Sequence, residues 1–102
     1  MYPIGYGRVM ADGTYTNDDA IAAYLTGTLE EAQFAEFIEG TGHVARSRGI
    51  SSVSRSSGLG RESLYKALSA GAKPRFETVC KVLKSLGLKL VVVPDRPAQP
   101  DE

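Results

Sequence analysis

Apolar side chains recur along most of this chain at intervals of three and four residues, the period of helices that bury one stripe. From Asp18 to Thr26 the stripe is Ile21, Tyr24 and Leu25, with Asn17 or Asp18 able to cap the start and Gly27 as a stop. Thr28 stands three residues before Glu31, a capping-box spacing, ahead of Leu29, Phe34, Phe37 and Ile38. That predicts a helix over 29–39. Gly40 and Gly42 interrupt the pattern before Val44 and Ala45 resume it, so 42–48 is a further helix or the far arm of a kinked one. After the loop Gly71-Ala72-Lys73-Pro74, a strong amphipathic helix is expected from Arg75 to Leu86. Its inner face is Phe76, Val79, Cys80, Leu83 and Leu86, with Lys81, Lys84 and Ser85 outside and Gly87 as its stop.

The pattern is most specific over residues 50–68, ISSVSRSSGLGRESLYKAL, which read as a helix-turn-helix. Ile50 and Val53 face inward from the first helix, and Ser51 or Ser52 can cap it. Ser54 is small enough to let a second helix pack closely. Gly58 falls where the first helix must end in a left-handed conformation, which glycine adopts without a Cβ penalty. Leu59 plugs the turn, and Leu64, Ala67 and Leu68 line one side of the second helix. Its other side carries Arg61, Glu62, Ser63, Tyr65, Lys66 and Ser69, a set able to reach base edges and phosphates. An ordinary helical hairpin would not require small, glycine and apolar residues in this register together.

The ends of the chain read differently. Residues 1–16 are rich in Gly and Tyr; Asp12-Gly13 can turn a short hairpin, which is marginal alone, so disorder fits as well. Lys89 to Val93 is apolar and β-branched, reading as a short strand ended by Pro94. A lone strand leaves its edges open, so its partner is the N-terminal hairpin, a second copy or another protein. Residues 95–102 are polar and proline-rich, a mobile tail. The division is thus an arm over 1–16, a helical domain over 17–94 and a tail over 95–102.

At 102 residues the chain suits one domain with a modest core. Its formal charge is zero, yet residues 1–40 hold one Arg against seven acids, and residues 41–93 hold ten Lys or Arg against two Glu. A basic body between acidic ends fits a nucleic-acid binder with an acidic arm for another partner. The single cysteine cannot form an internal disulfide, and its neighbours at helical spacing make it a core thiol. His43 has no companion ligands, and no paired carboxylates, nucleophile–base set or phosphate loop occurs, so no enzyme activity, metal or cofactor is expected. With no membrane-length apolar run and no signal pattern, a soluble, cytoplasmic protein is expected.

Four stretches carry a family resemblance: DAIAAYL at 19–25, HVARSRGI at 43–50, GLGRESLYKALS at 58–69 and PRFETVCKVLKSLGLKLVV at 74–92. Through them, about three quarters of the chain resembles HigA-like antitoxins, the addiction-module antidote proteins of the Xre-type helix-turn-helix class. The resemblance implies a mainly α fold, a five-helix, lambda-repressor-type bundle with added terminal elements. It also implies an antitoxin that neutralises a RelE-like mRNA-cutting toxin and represses their shared operon on operator DNA. Gly60 departs from the family's Ser or Thr at the cap of the recognition helix, and Ser54 from its Ala. The first 16 residues do not match the usual lead-in.

Helix-turn-helix geometry then assigns roles. The N-terminal residues of the second helix meet base edges in the major groove, so Arg61, Glu62, Ser63 and Lys66 are the candidate readers. Arg61 suits a guanine, whereas Glu62 either accepts from a cytosine amine or pairs with Lys66. Ser51, Ser52, Arg55, Tyr65, Lys73 and Arg75 are expected at phosphates and sugars, positioning without reading sequence. Such modules usually bind DNA as dimers, and Leu90, Val91, Val92 and Val93 are the candidate dimerisation strand, with pairing to a toxin sheet as its competing use. Asp18, Asp19, Glu30, Glu31, Glu36 and Glu39 form the candidate face for a basic toxin, or a solvated helix surface. The rival functions are a stand-alone phage-type repressor and a protein-binding module that no longer touches DNA.

Overall fold

Two small apolar clusters hold together five helices in the computed structural model of the protein, which describes residues 17–95. The helices are α1 (Asn17–Glu30), α2 (Phe34–Arg48), α3 (Ile50–Ser57), α4 (Arg61–Ala67) and α5 (Phe76–Ser85). The mainly α class expected from the pattern is therefore observed. The hairpin suggested around Asp12-Gly13 and the tail past Asp95 lie outside the described residues.

The first cluster joins Ala45, Ile50, Val53, Leu64, Leu68, Val82 and Leu86, so α2, α3, α4 and α5 all contribute to it. The second joins Leu25 and Phe37 to Val79 and Leu83, seating α1 and α2 against α5. Leu88, just past α5, packs against both. Burying a side chain of this size contributes about 1.5–3 kcal/mol. Thr28 and Thr41 are buried too, and each hydroxyl donates to a carbonyl of its own helix, Leu25 at 2.6 Å and Phe37 at 2.8 Å.

Several boundaries differ from the sequence reading. Helix α1 runs through Gly27, and Thr28 is an interior residue rather than a cap. The stripe Ile21, Leu25 and Leu29 spans the glycine at i, i+4, i+8, and its packing outweighs the helix-weakening of about 1 kcal/mol. α1 ends instead at Glu30, and beyond it Ala32 lies in the left-handed region, φ 56°, with Gln33 N–H donating to Thr28 O and Ala32 N–H to Leu29 O. α2 passes through both Gly40 and Gly42 as one helix, and these positions admit close neighbours. A Cβ on Gly40 would sit 2.7 Å from the Tyr24 ring, and one on Gly42 would sit 3.0 Å from the backbone oxygen of Leu68. The glycines that looked like breaks are contact points.

Two further corrections concern α5 and the segment after it. Phe76, assigned to the inner face, is 71% exposed, while Val82, assigned to neither face, is fully buried. The buried row is Val79, Val82, Leu83 and Leu86, and Phe76, one turn before Val79, falls outside both clusters. The C-terminal strand is not formed. Residues 88–95 carry no regular structure, because the described part of the chain offers no second strand to complete a ladder.

Candidate nucleic-acid interface

Helices α3 and α4 are joined by only three residues, Gly58 to Gly60, and the local chemistry explains how so short a turn holds. Gly58 closes α3 in the left-handed region, φ 77°, with its N–H on Ser54 O at 2.9 Å. Ser54 is more than compact: its hydroxyl donates to Leu59 O at 2.6 Å, tying the middle of α3 to the far side of the turn. Ser57 Oγ accepts from Leu59 N–H at 3.2 Å, so both polar groups of Leu59 are held by serines of α3. Leu59 itself is half-buried against the first cluster. Gly60 is extended, φ −69° and ψ 153°, and starts α4 without a side-chain cap. The same holds at the start of α3, where Gly49 occupies the cap position and neither Ser51 nor Ser52 caps the helix.

Leu64 and Leu68 point into the core, and Ala67 packs at its margin. The rest of α4 is presented outward: Arg61, Glu62, Ser63, Tyr65 and Lys66 are all exposed. Ser51, Ser52 and Arg55 on α3 are exposed as well, as are Lys73 and Arg75 in the connection to α5, where Arg75 is the residue preceding the first turn. The ion pairs found among the described residues, Arg48–Asp18 and Lys81–Glu77, involve none of these cations. The outer side of α3 and α4 thus presents guanidinium, ammonium, hydroxyl and phenol groups, the donor set that phosphates and base edges accept from. Glu62 makes no ion pair with Lys66 here, although both remain within one helix turn of each other.

The acidic residues expected to face a toxin lie on other helices. Glu30, Glu31, Glu36 and Glu39 are exposed on α1, α2 and their connection. Asp18 is engaged: its carboxylate accepts from Arg48 at 2.6 Å. Arg48 also donates to Leu86 O at 3.3 Å, so one guanidinium joins the start of α1, the end of α2 and the end of α5. Sequence spacing gave no hint of this clamp, since its partners lie 30 and 38 residues away. Asp19 is half-buried. Leu90, Val91, Val92 and Val93 are exposed, with Val92 at 98%. No cluster of metal-ligating side chains occurs among the described residues, and none of their helices is long and apolar enough to cross a membrane.

A family model described as probable addiction module antidote protein matches residues 10–94, all five helices and the segment after them. The chain belongs to that family. A relative in Haemophilus influenzae, an uncharacterized protein, is 40% identical over 81 residues, which cover 79% of this chain and 84% of that protein. No solved structure matches. Membership in an antidote family supports an antitoxin role, and an antidote implies a toxin as partner. The resemblance drawn from the four sequence stretches therefore holds at the level of the antidote family.

Proposed function

We propose that this chain is the antitoxin of a type II module, binding and neutralising a RelE-like mRNA-cutting toxin and repressing its own operon through the α3–α4 pair as a helix-turn-helix. The observation that carries the DNA half of this reading is the exposed cationic side of α3, α4 and the loop to α5, on a pair of helices locked by Ser54, Ser57 and Gly58. In this reading α4 enters the major groove. Arg61, Glu62, Ser63 and Lys66 face base edges, and Ser51, Ser52, Arg55, Tyr65, Lys73 and Arg75 hold phosphates and sugars.

The toxin half rests on the family and on charge. Glu30, Glu31, Glu36 and Glu39 offer an acidic surface on the half of the molecule that does not carry the DNA-facing cations. Asp18 and Asp19 contribute less, the first because it is held by Arg48 and the second because it is half-buried.

Titration of operator and scrambled duplexes at two salt concentrations tests the DNA reading. Arg61→Ala should lose about 1–3 kcal/mol on the operator and little on scrambled DNA. Lys73→Ala should weaken both alike and reduce the salt slope by about one phosphate contact. Equal losses on both duplexes for Arg61→Ala would remove its base-reading role. For the toxin, reversing Glu30, Glu31, Glu36 and Glu39 to Lys in the full chain should abolish neutralisation and leave operator binding in place. Full neutralisation by a folded variant would discard that surface.

A further inference from the structure

We infer that Phe34 is the apolar anchor of the toxin contact, a ring that enters a slot on a cationic protein surface while the carboxylates around it meet cations at the rim. The inference rests on the acidic surface proposed above and names the side chain that holds the partner there. Phe34 is 62% exposed and belongs to neither apolar cluster. It is the first residue of α2, after the cap position at Gln33, and the buried row of that helix starts one turn later at Phe37. Its ring therefore does little for the fold, and removing it costs the free chain almost nothing.

Two features separate Phe34 from an apolar side chain left outside by chance. The first is the backbone that presents it. Glu31 N–H donates to Gly27 O at 3.2 Å, Ala32 N–H to Leu29 O at 3.0 Å, Gln33 N–H to Thr28 O at 2.8 Å and Phe37 N–H to Gln33 O at 3.0 Å. The corner between α1 and α2 is thus bonded residue by residue, and a ring carried on it loses little backbone freedom when it docks. The second feature is its company. Residues 30–36 form an unbroken exposed run, with Glu30, Glu31 and Glu36 within four positions of the ring. The ion pairs among the described residues, Arg48–Asp18 and Lys81–Glu77, leave these three carboxylates uncompensated.

That charge selects the occupant. Three carboxylates repel nucleic acid and acidic proteins and attract a cationic surface. A protein that cuts RNA needs such a surface to hold the phosphates of its substrate, so the toxin class proposed above supplies the complement. Phe76 gives the contrast. It is 71% exposed and also opens its helix, but it follows Lys73 and Arg75, and Glu77 beside it is paired with Lys81 at 4.0 Å. The two rings are alike in exposure and opposite in surroundings. At the acidic corner the carboxylates govern encounter and the ring governs how long the complex lasts, because rim charges act on association and a buried apolar anchor on dissociation.

The test measures association and dissociation rates of the purified full-length chain on the purified cognate toxin, without DNA. Phe34→Ala should speed dissociation by at least about 30-fold, equally at low and high salt, and leave association within about twofold. Phe34→Leu should recover most of that loss. Replacing Glu30, Glu31 and Glu36 together by Gln should slow association by about tenfold at low salt and less at high salt. Phe76→Ala should change neither rate. The melting temperature and operator binding of Phe34→Ala should match the wild type, which a structural role for the ring would not allow. Dissociation of Phe34→Ala at the wild-type rate would overturn the anchor and leave the acidic surface standing. So would an equal loss in Phe76→Ala, or a lowered melting temperature in Phe34→Ala. A wild-type chain that does not bind the toxin would overturn the antitoxin reading and the anchor with it.

Discussion

The α3–α4 half and the α1–α2 half of this molecule solve the same problem, holding two helices at close quarters, by different means. Between α3 and α4 the solution is local: a left-handed glycine, two serine hydroxyls on the turn, and Leu64 and Leu68 plunging into the first cluster. Between α1 and α2 it is distant: Gly40 accommodates the Tyr24 ring, Leu25 and Phe37 meet side chains of α5, and Arg48 reaches back to Asp18. Surface charge leans the same way: Arg55, Arg61 and Lys66 outnumber Glu62 on the outside of α3 and α4, while Glu30, Glu31, Glu36 and Glu39 lie on α1, α2 and their connection beside Arg46 and Arg48. A local solution keeps its geometry when its surroundings change, which suits a surface that must match a rigid duplex. A distant one depends on the whole body remaining assembled.

The comparison is broken most severely at Leu64, which is fully buried beneath α4. Leu64→Ala should cost about 2–5 kcal/mol and lower the melting temperature. Hydrogen exchange in this variant should rise first over 50–68, while α1 and α2 keep their protection; uniform loss would mean that the halves do not act separately.

The glycines of the α1–α2 half sharpen it further. Gly42→Ala would bring a Cβ to 3.0 Å from Leu68 O and 3.3 Å from Leu68 Cβ, atoms that cannot swing aside, so a loss of about 1–3 kcal/mol is expected in denaturant titration. Gly27→Ala meets nothing within 4 Å inside a helix and should instead gain about 0.5–1 kcal/mol. If both changes destabilised, the distinction between a contact glycine and a tolerated one would fail.

These residues also mark where the sequence could be read and where it could not. The α3–α4 pair was legible because its turn is set by neighbours within five positions, Gly58 at the end of α3 and Leu59 in the turn, and because Leu64 and Leu68 mark the buried side at i, i+4 even though they pack against Ala45, Val82 and Leu86 far along the chain. Even there the Ser54 hydroxyl bond to Leu59 O went unseen, since spacing suggests only that the residue is small. In the α1–α2 half, local rules misled. Gly27 resembled a stop, Thr28 and Glu31 a capping box, Gly40 and Gly42 a break, and each was overridden by packing against residues far along the chain. The exposed candidate site residues of α3, α4 and the loop fall where their helical register put them. Asp18 does not remain a free member of the acidic face, because no local pattern reveals Arg48 as its partner.

Two smaller effects test the same contrast at single bonds. Ser54→Ala removes the side-chain donor on Leu59 O and should cost about 1 kcal/mol, with operator binding weakened more than global stability. Asp18→Ala removes an ion pair that is largely open to water and should cost less than about 1 kcal/mol, a loss that shrinks further in high salt. A larger effect at Asp18 than at Ser54 would reverse the ranking of local over distant contacts.

The Arg48 guanidinium has a mechanical meaning as well. It bonds Asp18 at the beginning of the described chain and Leu86 O at the end of its last helix, so both ends leave the body beside one side chain. Tension applied between the termini would load that junction directly, peeling α1 and the last turn of α5 apart. The α3–α4 pair is threaded through the middle of the chain, out of the line of force. A machine that unravels the protein from its N-terminal side would therefore meet the acidic half first, and one that pulls from the C-terminal side would meet α5 and then the cationic half.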